Sequence, residues 1–218
     1  MSPNARPPEF DRYMKLRDPW AFLSNCVYTE DEVDLRSPVK QAPVSRAYLK
    51  TLVRTWQREP LLAVPKSRRM WITWLFIALY LHDAITHNHR RIFFVSKKEV
   101  DADELVKRAH FIYRNIPRDI FSDEFLPKAR YKENHLIFDD INSSINAVAQ
   151  GPDQLRQYTA SGIFMDEFAF WEKGRETYTA SKPTILGGGR VTIVSTPPPQ
   201  FGTEDSFFKK LCFDTIES

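Results

Sequence analysis

Glycine is scarce in this sequence and is absent from its first 150 residues. The 218-residue chain has seven glycines, and all of them lie at or after Gly151. Glycine usually supplies the tight turns of loops that wrap a phosphate group. Any phosphate-binding loop in the first 150 residues must therefore form without glycine, and this constrains every nucleotide-binding hypothesis for the chain.

Cysteine is scarce as well, since Cys26 and Cys212 are the only two and no Cys-x-x-Cys pair occurs. This excludes a disulfide framework and a cysteine-based zinc site, so we expect a reducing environment. The N-terminus lacks the basic-then-apolar pattern of a secretion signal. The longest apolar run, at about residues 71–81, is far shorter than the ~20 residues that a membrane span needs. We therefore expect no membrane association.

The overall composition is that of a folded protein. The chain is 42% hydrophobic and 27% charged, which suits a packed core and argues against extensive disorder. Its net charge is +3 and its pI is about 8.8. A mildly basic protein is compatible with nucleic-acid binding, but this charge balance does not diagnose it.

Apolar runs bounded by turn residues alternate with helical patterns along the chain. We predict strands at residues 60–64, 91–96, 162–165 and 191–194, with short ones at 135–138 and 144–148. Apolar residues with helical spacing predict helices at residues 46–58, 71–85 and 101–115. Residues 116–134 look irregular, and the proline-rich residues 1–19 read as an extended arm or a disordered terminus. This alternation predicts an α/β fold with a mainly parallel sheet covered on both faces.

A basic segment joins the first predicted strand to the helix at residues 71–85. It consists of Lys66, Ser67, Arg68, Arg69, Met70, Trp71, Ile72 and Thr73. A nucleotide site needs a loop leading into a helix N-terminus, a cation for the phosphates and a hydroxyl for the metal ion. Lys66 offers the cation and Thr73 the hydroxyl. The common GxxxxGK[ST] pattern is broken, however, so a basic surface loop is the alternative interpretation.

Two further segments end apolar strands with polar side chains. Asp166 and Glu167 follow the strand at residues 162–165, where the first carboxylate can hold a magnesium ion and the second can activate a water molecule. Ser195 and Thr196 follow the strand at residues 191–194, where hydroxyl groups can bind a γ-phosphate or its attacking water. Solvated acids and a strand-ending turn are the alternatives. In this order, the three segments match the arrangement of P-loop ATPases with an extra catalytic glutamate.

With these motifs, the sequence resembles the ATPase domain of the large terminase subunit of tailed bacteriophages. The resemblance runs from about residue 16 to 210 and is strongest in four segments: VPKSRRMWITW at 64–74, VSKKEVDADELVKRA at 95–109, DQLRQYTASGIFMDEFAFW at 153–171 and VTIVSTP at 191–197. The family tolerates a deviant phosphate loop whose lysine stands at the start, as Lys66 does. Trp71 departs from the pattern, because family loops often keep glycine there.

The resemblance implies a fold and a set of roles. The fold is a three-layer P-loop NTPase of the ASCE or RecA-like type, with a small helical N-terminal lid subdomain at residues 1–59 and an ATPase core at residues 60–218. Residues 66–73 would bind the phosphates of ATP, with Thr73 and Asp166 holding Mg²⁺. Glu167 would activate water, while Ser195 and Thr196 would sense the γ-phosphate and couple it to DNA.

An arginine upstream of the acidic strand also matches the family. Arg156 lies ten residues before Asp166. The family uses an arginine in this region as a finger that reaches the ATP of a neighbouring subunit, a role that suits the fixed fork of a guanidinium. Arg68 and Arg69, acting within the subunit, are competing candidates, and a surface salt bridge is the structural alternative for Arg156.

The family's full-length protein carries a second, nuclease domain. The sequence ends at Ser218, about twenty residues after Ser195-Thr196-Pro197, so we expect no nuclease activity from this chain. The resemblance implies an ATP-driven motor that moves viral double-stranded DNA into a procapsid in the host cytoplasm. Its partners would be DNA, the portal protein, the small terminase subunit and further copies of itself in a ring. The alternative is a packaging scaffold that binds nucleotide but does not hydrolyse it, which the glycine-free loop and Trp71 favour and the intact acidic pair disfavours.

Overall fold

The structure is a computed structural model that describes residues 17–30, 39–120, 126–156, 159–197 and 207–213. The first elements are helix α1 (Pro19–Cys26), the antiparallel strand pair β1 (Tyr28–Glu30) and β2 (Val39–Gln41), and helix α2 (Ala47–Arg58). Asp18 caps α1 by accepting a 2.8 Å hydrogen bond from the N–H of Ala21. The predicted arm therefore ends before Pro19, because a capping aspartate and a proline in the first turn start a helix there. Residues 1–16 of that arm lie outside the described residues.

A seven-stranded sheet forms the centre of the molecule. Its strands lie in the order β3-β9-β8-β4-β7-β6-β5, and the first five are parallel to one another. Strands β6 and β5 extend the sheet antiparallel at one edge. The strand bounds are β3 (Leu61–Pro65), β4 (Arg91–Ser96), β5 (Ala129–Lys132), β6 (His135–Phe138), β7 (Ser143–Ala149), β8 (Gly162–Asp166) and β9 (Arg190–Ser195). The predicted α/β class and mainly parallel sheet are confirmed.

Helices cover the sheet and join its strands. They are α3 (Ile72–Thr86), α4 (Glu99–Arg114), the short α5 (Pro152–Arg156), α6 (Gly174–Leu186) and α7 (Phe207–Phe213). Helices α3 and α4 match the predicted helices within two residues. The expectation of irregular chain at 116–134 is wrong at its end, because β5 lies there and pairs with β6. Its alternately half-buried residues at an edge give a weak apolar signal.

Two hydrophobic clusters lie on opposite faces of the sheet and define three layers. Along β4, Ile92 and Phe94 point into the cluster that also contains helices α1 to α4. Phe93 and Val95 point into the second cluster, which contains residues of α6 and α7. This alternation follows the two-residue period of a strand that is buried on both faces. Each fully buried large side chain contributes about 1.5–3 kcal/mol to stability.

Helix α3 is fixed to the centre of the sheet by a buried tyrosine. The hydroxyl of Tyr80 donates to the carbonyl oxygen of Ile163 on β8 (2.9 Å) and lies 2.9 Å from the hydroxyl of Thr192 on β9. Its ring lies so close to Gly162 that a Cβ atom there would be 2.6 Å from a ring carbon. The absence of a side chain at Gly162 therefore lets α3 approach β8, and this sets the position of the polar residues at the ends of both elements. Within the described ranges, no helix is long and apolar enough to cross a lipid bilayer.

Candidate nucleotide site

Three adjacent parallel strands bring the predicted site residues to one edge of the sheet. Lys66 follows β3, Thr196 follows β9 and Glu167 follows β8, and these strands are neighbours in the sheet. Because parallel strands end at the same edge, segments far apart in the sequence meet there. The backbone N–H of Lys66 also donates to the carbonyl oxygen of Ser195 (2.9 Å), which continues the pairing of β3 and β9 into the loop.

Glu167 lies at the centre of this edge and is held from two sides. The Lys66 Nζ atom lies 2.5 Å from Glu167 Oε1, and the lysine side chain is only 9% exposed. Thr196 donates its backbone N–H to Oε2 (3.0 Å) and its hydroxyl to Oε1 (3.2 Å). The hydroxyl of Ser195 lies 3.4 Å from Oε2. The predicted base, cation and hydroxyl residues thus share one hydrogen-bonded cluster.

The protonation of Glu167 reflects these partners. Burial raises the pKa of its carboxyl group, but the hydrogen bond from Lys66 and those from Thr196 outweigh burial and leave the pKa below its ordinary value. Glu167 is therefore ionised at neutral pH. Its backbone adopts the left-handed region, with φ of 51°, at the turn between β8 and the short 3-10 helix Phe168–Phe170. This conformation turns the chain sharply after Asp166.

Asp166 occupies a different electrostatic environment, although it is adjacent in sequence. Burial raises the pKa of its carboxyl group to about 6, with Lys66 opposing the shift and the Glu167 charge adding to it. Its Oδ1 atom accepts a 3.2 Å hydrogen bond from the hydroxyl of Thr73 in the first turn of α3. Within the described part of the chain, no hydrogen bond to its second oxygen is formed.

These donors fit a magnesium ion. Mg²⁺ prefers hard oxygen ligands and usually takes one or two carboxylates, with water and substrate phosphates completing its shell. Asp166 and Thr73 offer a carboxylate and a hydroxyl side by side. Among the described residues, no three His, Cys, Asp or Glu side chains converge on one point as a metal site. A magnesium ion at Asp166 would therefore depend on water and phosphate for its remaining ligands.

The loop between β3 and α3 is mostly exposed. Ser67, Arg68 and Arg69 face solvent, whereas Met70 and Trp71 are half-buried and pack against the core. The side chain of Ile72 is 4% exposed and belongs to the core, so only its backbone N–H, in the first turn of α3, is available to a phosphate. The phosphate-binding role of residues 66–73 stays a prediction.

Arg156 forms no ion pair with this cluster among the described residues. It ends helix α5, its side chain is 65% exposed, and its Nη1 atom lies 3.9 Å from Asp153 Oδ1 in a loose ion pair. No hydrogen bond within the described residues joins it to Glu167, Asp166 or Lys66. Such a position leaves its guanidinium accessible to another molecule, while its role as a finger stays a prediction.

Sequence reasoning missed several residues that support the site. The indole N–H of Trp171 donates to the carbonyl oxygen of Asp166 (3.2 Å), and the N–H of Ala169 donates to the Ser195 hydroxyl (3.1 Å). Thr29 and Tyr48 bind the phosphate-loop segment from the N-terminal elements. No local pattern marks the latter two, because their partners lie 42 and 22 residues away.

A cavity of about 800 Å³ lies elsewhere on the molecule. Its lining includes Arg91, Ser144 and Ser161, which stand at the amino ends of the parallel strands β4, β7 and β8 or just before them. That is the opposite edge of the sheet from Glu167, and none of the predicted site residues lines it.

Comparison with solved structures places the fold in a known class. The structure superimposes on the large terminase of bacteriophage HK97 with a TM-score of 0.64 at 12% identity, covering 92% of this chain and 40% of that one. It superimposes on an ATPase-domain mutant of a Thermus phage large terminase with a TM-score of 0.54 at 12% identity, covering 69% and 64% of the two chains. A large terminase from a thermophilic bacteriophage, solved in complex with ADP, gives 0.54 at 14% identity, covering 76% and 42%. The fold is that of the P-loop ATPase domains of these proteins.

The sequence itself identifies the family. A sequence model described as terminase large subunit, T4likevirus-type, N-terminal, matches residues 66–210. The chain belongs to this family. It spans 40–64% of the length of the three solved proteins above, and no curated protein sequence matches it.

Proposed function

We propose that this chain is an ATP-hydrolysing motor domain that powers the movement of viral double-stranded DNA into a procapsid. The observation that carries the proposal is the convergence of Lys66, Thr73, Asp166, Glu167 and Thr196 at one edge of the sheet. Membership of the terminase family and the ADP bound to a relative of the same fold add support.

The residues at this edge have complementary tasks in the proposed reaction. Lys66 and the free N–H groups at the start of α3 would bind the phosphates of ATP, since both offer positive charge to an anion. Asp166 and Thr73 would hold Mg²⁺, which when bound neutralises phosphate charge. Glu167 would orient a water molecule and accept its proton as the water oxygen bonds to the γ-phosphorus and the bond to the β–γ bridging oxygen breaks. The products are ADP and phosphate.

In the proposed mechanism, ATP binding would also change the partner of Lys66. In the structure, Lys66 forms an ion pair with Glu167, and a carboxylate in such an ion pair is a weaker base. A phosphate that attracts Lys66 would release Glu167 on one side. Thr196 and Ser195 would keep the carboxylate oriented from the other side, and this contact would link the state of the γ-phosphate to strand β9.

Arg156 fits the part of a finger that acts between subunits, because its side chain is exposed and its ion pair with Asp153 is loose. The motor would then assemble as a homo-oligomeric ring in the host cytoplasm, with the portal protein, the small terminase subunit and DNA as partners. An arginine supplied from a neighbouring subunit is worth about 10³–10⁵ in rate in other phosphoryl-transfer systems. The isolated chain should therefore be a poor ATPase.

Single-turnover ATP hydrolysis at high protein concentration distinguishes the proposed motor from the alternative, a packaging scaffold that binds nucleotide but does not hydrolyse it. We expect hydrolysis that depends on Glu167 and that rises with protein concentration. Mixing Arg156→Ala with Glu167→Gln should restore part of the activity, because some interfaces then pair an intact Glu167 with an intact Arg156. ATP binding without any turnover, under all these conditions, would favour the scaffold. Activity that is independent of concentration and unchanged in Arg156→Ala would place the complete site within one chain.

A further inference from the structure

The loop between β3 and α3 has a backbone shape that this sequence does not favour by itself. Arg69 and Trp71 both adopt the left-handed region, with φ of 60° and 61°. Residues with a side chain rarely adopt this region unless their surroundings hold them there. The loop contains no glycine to relieve the cost. Contacts from outside the loop must therefore stabilise its shape.

Two hydrogen bonds from the N-terminal elements provide such contacts. The hydroxyl of Tyr48, in the first turn of α2, donates to the carbonyl oxygen of Met70 at 2.7 Å. The indole N–H of Trp71 donates to the hydroxyl of Thr29 on β1 at 3.2 Å, and Thr29 is buried. The two bonds hold consecutive residues immediately before α3 begins at Ile72.

The direction of these bonds matters for an anion. A carbonyl oxygen carries partial negative charge, and one that faced the phosphate position would repel the ligand. Tyr48 engages the oxygen of Met70 on the side of the N-terminal helix. The left-handed turn at Trp71 then leads directly into α3, whose first N–H groups have no partner within the helix. Fixing Met70 and Trp71 therefore fixes the direction in which these groups are presented.

We propose that Thr29 and Tyr48 are positioning residues for nucleotide binding, which hold the glycine-free loop in its phosphate-binding shape from outside. We call this pair the loop clamp. The inference rests on the proposed function, since it assigns the clamp to the same ATP site. It adds a task for the N-terminal elements, which hold the loop by hydrogen bonds in place of the intrinsic freedom of glycine.

Removal of single polar groups tests the clamp in the full chain. Tyr48→Phe and Thr29→Val each delete one hydroxyl with little change in volume. We expect the Kd for ATP, measured by titration calorimetry, to rise roughly threefold to tenfold in each, since a net hydrogen bond is worth about this factor. The kcat at saturating ATP should change by less than about twofold, because Lys66 and Glu167 are held by β3, β8 and β9 rather than by the clamp.

Tyr113→Phe is the matched control. The Tyr113 hydroxyl also donates to a backbone carbonyl oxygen, that of Pro127, at 2.7 Å, and that bond lies outside the loop and the site cluster. Its loss should lower stability to a similar extent without changing the Kd for ATP. Trp71→Phe, which deletes the other partner of the Thr29 bond, completes a double-mutant cycle. The Kd for ATP of the double variant, Thr29→Val with Trp71→Phe, should not exceed the Kd of the single variant that binds ATP more weakly.

Hydrogen exchange gives a readout without nucleotide. Amides of residues 66–73 should exchange faster in Tyr48→Phe and Thr29→Val than in the parent or in Tyr113→Phe. The inference is overturned if both clamp variants bind ATP like the parent while losing the same stability as the control. If Tyr48→Phe fails to fold, Thr29→Val and Trp71→Phe decide the question. If the parent chain binds no ATP, both the proposed function and the clamp are refuted. If the parent binds ATP and the clamp variants bind it with the same Kd, only the clamp is refuted.

Discussion

The two halves of the candidate site are held in different ways. The acidic half consists of Asp166, Glu167, Ser195 and Thr196, which are fixed by adjacent parallel strands and by hydrogen bonds to one another. The phosphate-loop half, residues 66–73, contacts the sheet at its two ends, through Lys66 and Thr73. Between these ends, Met70 and Trp71 are held by Tyr48 and Thr29. The acidic half is therefore a product of the sheet, whereas the loop half depends on elements that precede the sheet in the chain.

This difference separates chemistry from binding. The group proposed to act on water belongs to the rigid half, and most of the groups proposed to bind phosphate belong to the half that is held from outside. The two halves are connected by the contacts of Lys66 with Glu167 and Ser195, and by the hydrogen bond that Thr73 donates to Asp166. Substitutions of the group that acts on water should therefore change the rate of hydrolysis, and substitutions of the groups that bind phosphate should change the affinity for ATP. If substitutions in both halves changed the same quantity, the division would be contradicted.

The largest effect is expected for Glu167→Gln in the acidic half. The amide keeps the shape of the side chain but cannot accept the proton of the attacking water. ATP hydrolysis should fall by roughly 10²-fold or more while ATP binding is retained. Single-turnover assays with radiolabelled ATP measure the rate, and Glu172→Gln, which changes a neighbouring exposed glutamate, is the control. Hydrolysis near the parent rate would remove Glu167 from its proposed role.

Lys66→Ala should affect binding rather than the chemical step. We expect the affinity for ATP to fall roughly 100-fold or more, because the variant loses the buried cation of the loop. Lys98→Ala, an exposed lysine after β4, is the control in the same calorimetric titration. Adding Ile72→Lys should not restore binding, because the Ile72 side chain is buried in the core. Unchanged affinity in Lys66→Ala would show that the loop half does not bind phosphate through this residue.

Asp166→Asn should reveal the cost of a buried charge through its pH dependence. Burial raises the pKa of Asp166 to about 6, whereas a carboxyl in the unfolded chain titrates near 4. Between these values the folded state keeps a proton that the unfolded state has lost, so this group lowers stability as pH rises from about 4 to 6. Relative to the parent, the variant should gain roughly 1–3 kcal/mol above pH 6 and almost nothing near pH 4.

Urea unfolding across this pH range, without nucleotide or magnesium, measures that gain. Asp153→Asn is the control, because its carboxylate is exposed. A loss of stability in Asp166→Asn at pH 7.5 would mean that the charge is stabilised by its neighbours rather than penalised by burial.

The smallest effect is expected for Ser195→Ala. The Ser195 hydroxyl lies 3.4 Å from Glu167, while Lys66 and both groups of Thr196 are closer and remain in the variant. Hydrolysis should slow by only about twofold to fivefold. Ser161→Ala removes a hydroxyl that accepts a backbone N–H in the same manner near the opposite end of β8, and it should leave the rate unchanged. A loss as large as that of Glu167→Gln would give Ser195 a direct part in the reaction.

The sequence predicts the acidic half better than the loop half for a physical reason. Asp166 and Ser195 end continuous apolar runs, and parallel strands must bring such ends to one edge. The Lys66–Glu167 contact follows from the same geometry. Thr29 and Tyr48 could not be identified, because a single hydroxyl on a short strand or a helix start has no pattern that names a partner many residues away. Strand β5 escaped prediction because an edge strand with alternately exposed residues has little apolar signal.

The close packing of Tyr80 against Gly162 has a consequence for motion. With a ring carbon 2.6 Å from where a Cβ atom would stand, and with the hydroxyl of Tyr80 bonded to both β8 and β9, helix α3 cannot slide along the sheet. Thr73 and Asp166, which stand at the ends of α3 and β8, therefore move together as parts of one rigid body. A nucleotide that moved residues of the segment between β3 and α3 would therefore act on a segment whose two ends stay fixed, so it could not change the distance between Thr73 and Asp166.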